Sequence, residues 1–192
     1  MQRISTTDAD FQAIFERLID RDAPGLAEID TRVSQIIADV RQRGDAAVLE
    51  YTRRLDRRPE ADQAALEVSQ ADMQAALDGL AAEDRAALEA AAERIADYAR
   101  SQKLADHSYE DEHGNRLGQV VRPIERAGVY APGGKAAYPS SVLMNTVPAK
   151  VAGVSEIIMV SPTPDGLRNP WVLAAAAVAG VDRLFTIGGA QA

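Results

Sequence analysis

From about Ala127 onward the chain repeats one pattern, and that pattern narrows the possible folds more than any other feature. Gly128-Val129-Tyr130-Ala131 reads as a strand running into Pro132-Gly133-Gly134. A helix is expected from about Ser140 to Ala152. Glu156 to Val160 follows, and its continuous Ile-Ile-Met-Val run predicts a buried strand. Asn169 is placed to cap a helix with Pro170 at its first position, ending near Gly180. Arg183 to Ile187 is a further strand, closing on Gly188-Gly189. Strands joined by helices of this length pair in parallel, because a parallel crossover needs a connection that long.

The earlier part has a different texture. Phe11, Ile14, Phe15, Leu18 and Ile19 recur at helical spacing, with Thr7 or Asp8 as an N-cap. Ala23-Pro24-Gly25 breaks that pattern, and Val33, Ile36, Ile37 and Val40 form one face of a second helix. Gly44 suits its stop, and Asp45 is placed to cap a third helix carrying Val48, Leu49 and Leu55. Leu66-Glu67-Val68 reads as a short strand, and Ser69 with Asp72 resembles a capping box. Met73, Ala76, Leu77 and Leu80 continue an apolar stripe. A longer alanine-rich helix from about Glu83 to Leu104 is expected to bury Leu88, Ile95 and Tyr98. Tyr109 to Ile124 looks like a hairpin turning at His113-Gly114-Asn115. The expected class is α/β, with a boundary near residue 127.

Charge and composition exclude several functions. Residues 1–120 carry 15 Lys+Arg against 25 Asp+Glu, whereas residues 121–192 carry 6 against 4. That describes an acidic, solvated helical surface followed by a more buried region, with no basic patch to track nucleic acid. The absence of cysteine excludes disulfides, thiolate metal sites and a thiol nucleophile. No signal peptide and no uncharged apolar run of spanning length is present, so a cytoplasmic protein is expected.

The chemistry-bearing segments are two glycine pairs, Gly133-Gly134 and Gly188-Gly189, each following an expected strand. Ligands of open α/β sheets bind beyond the carboxyl ends of the strands. Glycine there lets backbone N–H groups approach a phosphate, although both pairs also read as plain tight turns. Two familiar phosphate loops fail. Gly128 and Gly133 have P-loop spacing, but Lys135 is out of register and no hydroxyl residue follows it. The Gly-x-Gly-x-x-Gly fingerprint is absent. Tyr130, at a strand end, can lie against a flat ligand or pack in the core. Gln191 can reach a ligand or cap a helix. His107 and His113 are six apart, which fits no zinc spacing, and no carboxylate pair stands out for acid–base work.

Residues 121–154 carry a more specific signature. The run includes Ala127-Gly128-Val129-Tyr130-Ala131-Pro132-Gly133-Gly134-Lys135 and Tyr138-Pro139-Ser140-Ser141, and it closely resembles the histidinol dehydrogenase family. So do Ile187-Gly188-Gly189-Ala190-Gln191-Ala192, Asp39 to Asp45, and Leu49-Glu50-Tyr51-Thr52. The resemblance implies oxidation of L-histidinol to L-histidine with two NAD, a zinc ion that orients the substrate, and an intertwined homodimer. It implies an incomplete Rossmann-like βαβαβ unit over residues 127–192, truncated at its C-terminal end, after a helical N-terminal region with a small hairpin over 1–126. Tyr130 and Gln191 match the family's NAD-contacting tyrosine and glutamine. The family's zinc ligands and its Glu-His proton-handling pair match nothing up to Ala192. The expectation is therefore the front part of a longer enzyme, inactive alone, with no catalytic or metal residue in these 192 positions. The alternative is a non-catalytic nucleotide- or partner-binding remnant.

Overall fold

The computed structural model describes residues 3–19, 26–59, 62–133 and 138–192. The Ala23-Pro24-Gly25 break, Gly134 and Lys135 lie outside the described residues. The chain begins with helices α1 (Phe11–Ile19), α2 (Leu26–Arg43), α3 (Asp45–Leu55) and the single turn α4 (Gln63–Leu66). Strand β1 (Glu67–Val68), helices α5 (Gln70–Asp78) and α6 (Ala82–Ser101), and the hairpin β2 (His107–Glu110) with β3 (Arg116–Gln119) follow. The last part is β4 (Arg126–Tyr130), α7 (Pro139–Ala152), β5 (Glu156–Val160), α8 (Pro170–Ala179) and β6 (Arg183–Phe185). Short 3-10 turns lie at Pro164–Gly166 and Gly189–Gln191.

The main sheet has the order β1-β6-β5-β4. The three later strands run parallel, as the helix-length connections require. The early strand β1 adds to β6 antiparallel, pairing Glu67 with Phe185 and Val68 with Leu184. The fold is α/β with a mixed, mostly parallel sheet.

Side chains alternate across this sheet. Ile157 and Met159 are fully buried on one face, while Ile158 and Val160 on the other are half-buried. The first face packs against the main core, where Met73 and Leu77 of α5 and Leu88 and Ala96 of α6 meet Val142 and Leu143 of α7 and Ala174 to Ala176 of α8. Apolar side chains from both sides of residue 127 thus share one core. The alanines of α8 let helices approach it closely, which is why a helix so poor in bulk can be so buried. The second face is covered in part by Val48 and Leu49 of α3, leaving an apolar hollow of about 290 Å³ against Ile158, Val160, Phe185 and Ile187.

Local caps agree with the sequence at several points. Asn169 accepts from the Trp171 N–H with Pro170 in the first turn of α8. Ser69 accepts from the Asp72 N–H at 3.0 Å. Gly44 separates α2 from α3, but Asp45 is the first residue of α3 and not its cap. Tyr98 departs from expectation and is 67% exposed. It lies two residues past buried Ala96, roughly 200° around the helix, on the face turned from α7 and α8. Helix α1 buries no residue, and of the α2 stripe only Ile36 is buried.

Acid should loosen this fold. The Arg43 guanidinium holds Asp39 down at about 2, against an ordinary value of 3.8. Asp165 is lowered by Arg57, and Asp111 by its bonds with Asn115 and His113. Burial pushes Asp182 up, yet bonds from Lys150 and the Ile157 N–H leave it lowered overall. Folded values below the unfolded ones mean stabilisation that is complete above about pH 4 and is lost as pH falls through the folded values. Urea midpoints measured from pH 5 down to pH 2 are expected to fall steadily. Asp182→Asn should flatten part of that decline, and an unchanged slope in this variant would contradict its share.

Candidate functional site at the carboxyl ends of the parallel strands

Strands β4, β5 and β6 finish level with one another. Tyr130 is in register with Val160, and Val160 with Phe185. The ladder runs one step further, with Ala131 N–H donating to the Val160 carbonyl and Ser161 N–H to that of Phe185. Beyond that line three loops emerge together: Pro132-Gly133, Ser161-Pro162-Thr163, and Thr186 to Gly189.

Tyr130 and the second glycine pair are in direct contact. The Gly189 N–H donates to Tyr130 Oη at 3.1 Å, and Tyr130 remains 45% exposed. Gly189 has φ +66, which a side chain would strain, and a Cβ there would lie 2.7 Å from Gln191 Oε1. The glutamine amide therefore folds back over the glycine that bonds the tyrosine. Gln191 is only 3% exposed, and its Oε1 is buried without a hydrogen-bond partner. Neighbouring Ala190 packs against Ile36, Ala47 and Tyr51 of α2 and α3. One side chain thus faces open space and the other lies beneath the N-terminal helices, joined through a single residue.

Glycine at the two loop positions is a matter of room. A Cβ on Gly133 would sit 2.1 Å from the Pro162 carbonyl oxygen. One on Gly188 would sit 2.4 Å from Pro162 Cβ and 2.9 Å from Tyr130 Oη. Both loops therefore close onto Pro162.

A cavity of about 230 Å³ opens on the other side of Pro162, towards the start of α8. Ser161, Thr163 and Thr186 supply its hydroxyls, and Val172, Leu173 and Leu184 its apolar floor. Behind it lies Arg58, 5% exposed. Its Nη1 donates to Thr163 Oγ1 at 3.1 Å, to Thr186 Oγ1 at 2.9 Å and to the Thr186 carbonyl at 3.0 Å. Its Nη2 reaches the Ala65 carbonyl. Next to it, Arg57 grips Asp165 in a bidentate pair, and the Asp165 N–H donates to the Asp56 carbonyl at 2.8 Å. Sequence reasoning did not find this clamp. Asp56-Arg57-Arg58-Pro59 reads as a solvated charged loop, and nothing local separates Arg58 from Arg57.

His107 and His113 are both exposed on the hairpin, which pairs only with itself. Among the described residues no three His, Asp or Glu side chains gather so as to hold a metal ion. No helix of the described residues is long and apolar enough to cross a membrane.

Comparison with known proteins assigns this geometry to a family. The family model described as histidinol dehydrogenase matches residues 19–192. The chain is 55% identical over its whole length to the histidinol dehydrogenase of Dechloromonas aromatica, spanning 44% of that relative. It is 56% identical to that of Burkholderia lata, spanning 45%. It also resembles the crystal structure of histidinol dehydrogenase from Elizabethkingia anophelis, with TM-score 0.75 and 29% identity, covering 99% of this chain and 39% of that one. The chain spans a little under half the length of the curated relatives it matches, and it belongs to the histidinol dehydrogenase family.

Proposed function

We propose that this chain forms one wall of the NAD pocket in an enzyme that oxidises L-histidinol to L-histidine with two NAD, with Tyr130 and Gln191 as the cofactor-contacting residues. The observation that carries the reading is the contact of Tyr130 Oη with Gly189, the residue over which the Gln191 amide folds. A buried amide oxygen without a partner suits a site completed by a ligand or by further chain. Exposed Tyr130 offers a flat face for a nicotinamide or adenine. Gly188 and Gly189 let Pro162, Tyr130 and the Gln191 amide pack where a side chain would intrude. Bound NAD would supply the hydride acceptor. The residues described here bind and orient it, and none of them moves a proton.

Zinc belongs to the whole enzyme on this reading. The described residues do not fit a zinc site, so no step is assigned to the metal in this chain. The whole enzyme is proposed to be a cytoplasmic homodimer. The 192-residue chain is expected to form no NADH from histidinol, because the acid–base pair and metal ligands of the family have no counterpart among its residues. It is expected to bind NAD, and Tyr130→Phe to weaken that binding by roughly tenfold through loss of the hydroxyl that anchors Gly189. Fluorescence titration with NAD and an absorbance assay for NADH check both. Histidinol-dependent NADH above blank, or NAD affinity unchanged from wild type in both Tyr130→Phe and Tyr130→Ala variants, would sink the reading.

A further inference from the structure

The cavity beside Pro162 is not explained by a tyrosine–glutamine wall. Its two inner hydroxyls have unusual freedom. Ser161 is 4% exposed and lines the cavity; its Oγ makes no hydrogen bond among the described residues and is not sealed from solvent. An unpaired hydroxyl at a cavity wall is free to donate to whatever enters. Thr163 is 6% exposed, and its Oγ1 already accepts from Arg58. That bond occupies the oxygen and leaves the hydroxyl proton to donate elsewhere, since no described group accepts it. Thr186 differs: it too accepts from Arg58, but gives its proton to the Leu66 carbonyl. Two donors thus remain for the cavity, one on each side of Pro162.

A buried guanidinium stands behind them. All the described hydrogen bonds of Arg58 go to uncharged oxygens, and its buried Nε has no partner. The nearby Asp56 carboxyl is pushed up by burial, against the pull of Arg58 and Arg57. Arg168 adds a second guanidinium at the lining, bonded only weakly to the Ala65 carbonyl at 3.4 Å and 3.8 Å from Asp72. Hydroxyl donors with cationic groups on two sides suit a tetrahedral anion better than a neutral or cationic ligand.

We propose that this cavity is a phosphate subsite, in which the hydroxyls of Ser161 and Thr163 donate to a phosphoryl group and Arg168 closes its mouth. Arg58 is a positioning residue: it orients the Thr163 hydroxyl and biases the cavity towards anions without touching the ligand. The proposal does not rest on the NAD-wall reading, because none of Ser161, Thr163 and Arg168 belongs to that wall.

The test uses the 192-residue chain at constant ionic strength, with inorganic phosphate, AMP or acetate added. Thermal unfolding and phosphorus NMR line width are the readouts. At about tenfold excess over Kd, phosphate is expected to raise Tm by about 3 °C and its resonance to broaden. A tighter response to AMP identifies a nucleotide as the source of the phosphate, and an equal response identifies free phosphate. Ser161→Ala and Thr163→Val are each expected to weaken binding by about tenfold, with unchanged far-ultraviolet circular dichroism. If one variant misfolds, the other and the wild-type line width still decide. No response to phosphate in the wild type, acetate acting as strongly as phosphate, or unaltered binding in the folded variants overturns the proposal.

Discussion

Arg58→Ala is expected to destabilise the chain by about 3 kcal/mol or more, a loss far larger than a surface arginine would produce. The side chain is 5% exposed and ties the loop after α3 to the ends of β5 and β6. Hydrogen bonds to a charged group are worth about 1.5–3 kcal/mol each, and truncation also strands their partners. The Thr186 carbonyl and two buried hydroxyls would lose a donor at once, and a cavity the size of the guanidinium would remain. Arg57 provides the contrast within the same loop. Its bond with Asp165 is bidentate, but the two side chains are 63% and 51% exposed. Water screens such a pair, so Arg57→Ala should cost about 1 kcal/mol or less. Urea denaturation of the two variants separates them. A loss for Arg58→Ala no greater than that for Arg57→Ala would mean that the buried network does not hold the sheet ends together.

What could be read from the sequence was what local chemistry writes. Glu156–Val160 is the strand that the Ile-Ile-Met-Val run implies. Asn169 and Pro170 mark the start of α8 because capping and a fixed φ act within three residues. The parallel pairing followed from connection length alone. Tertiary contacts left weaker traces. Arg58 lies 105 residues from Thr163 and 128 from Thr186, so its role depends on where the chain returns, not on its neighbours. The same holds for Tyr98: an apolar ring on a helix with several apolar positions cannot show which face meets a neighbour. Gln191 was legible as a residue near a strand end, but not its burial, which depends on α2 and α3 folding over the turn. Tyr130 was legible as the end of a strand, yet its bond to Gly189 joins residues 59 apart.

Gly188→Ala is expected to cost NAD binding about tenfold or more while Gly128→Ala costs nothing measurable. Both glycines belong to the same sheet region, and neither has a positive φ, so backbone strain does not distinguish them. Space does. A Cβ on Gly128 meets nothing within 4 Å. A Cβ on Gly188 would lie 2.4 Å from Pro162 Cβ, 2.7 Å from Pro162 Cγ and 2.9 Å from Tyr130 Oη. A proline ring has little freedom to yield, so the loop must move. Overpacking of this kind costs about 1–3 kcal/mol. The displaced atoms are those that set Tyr130 against Gly189, so the loss should fall on cofactor affinity as well as on stability. Adding Tyr130→Phe to Gly188→Ala separates the two effects. If the steric push acts through the Tyr130 hydroxyl, the double variant should bind NAD no worse than Gly188→Ala alone, because the bond is already broken. Fully additive losses would mean that Gly188 shapes the pocket by a route independent of Tyr130, and unchanged affinity in Gly188→Ala would mean that this strand end is not where the dinucleotide lies.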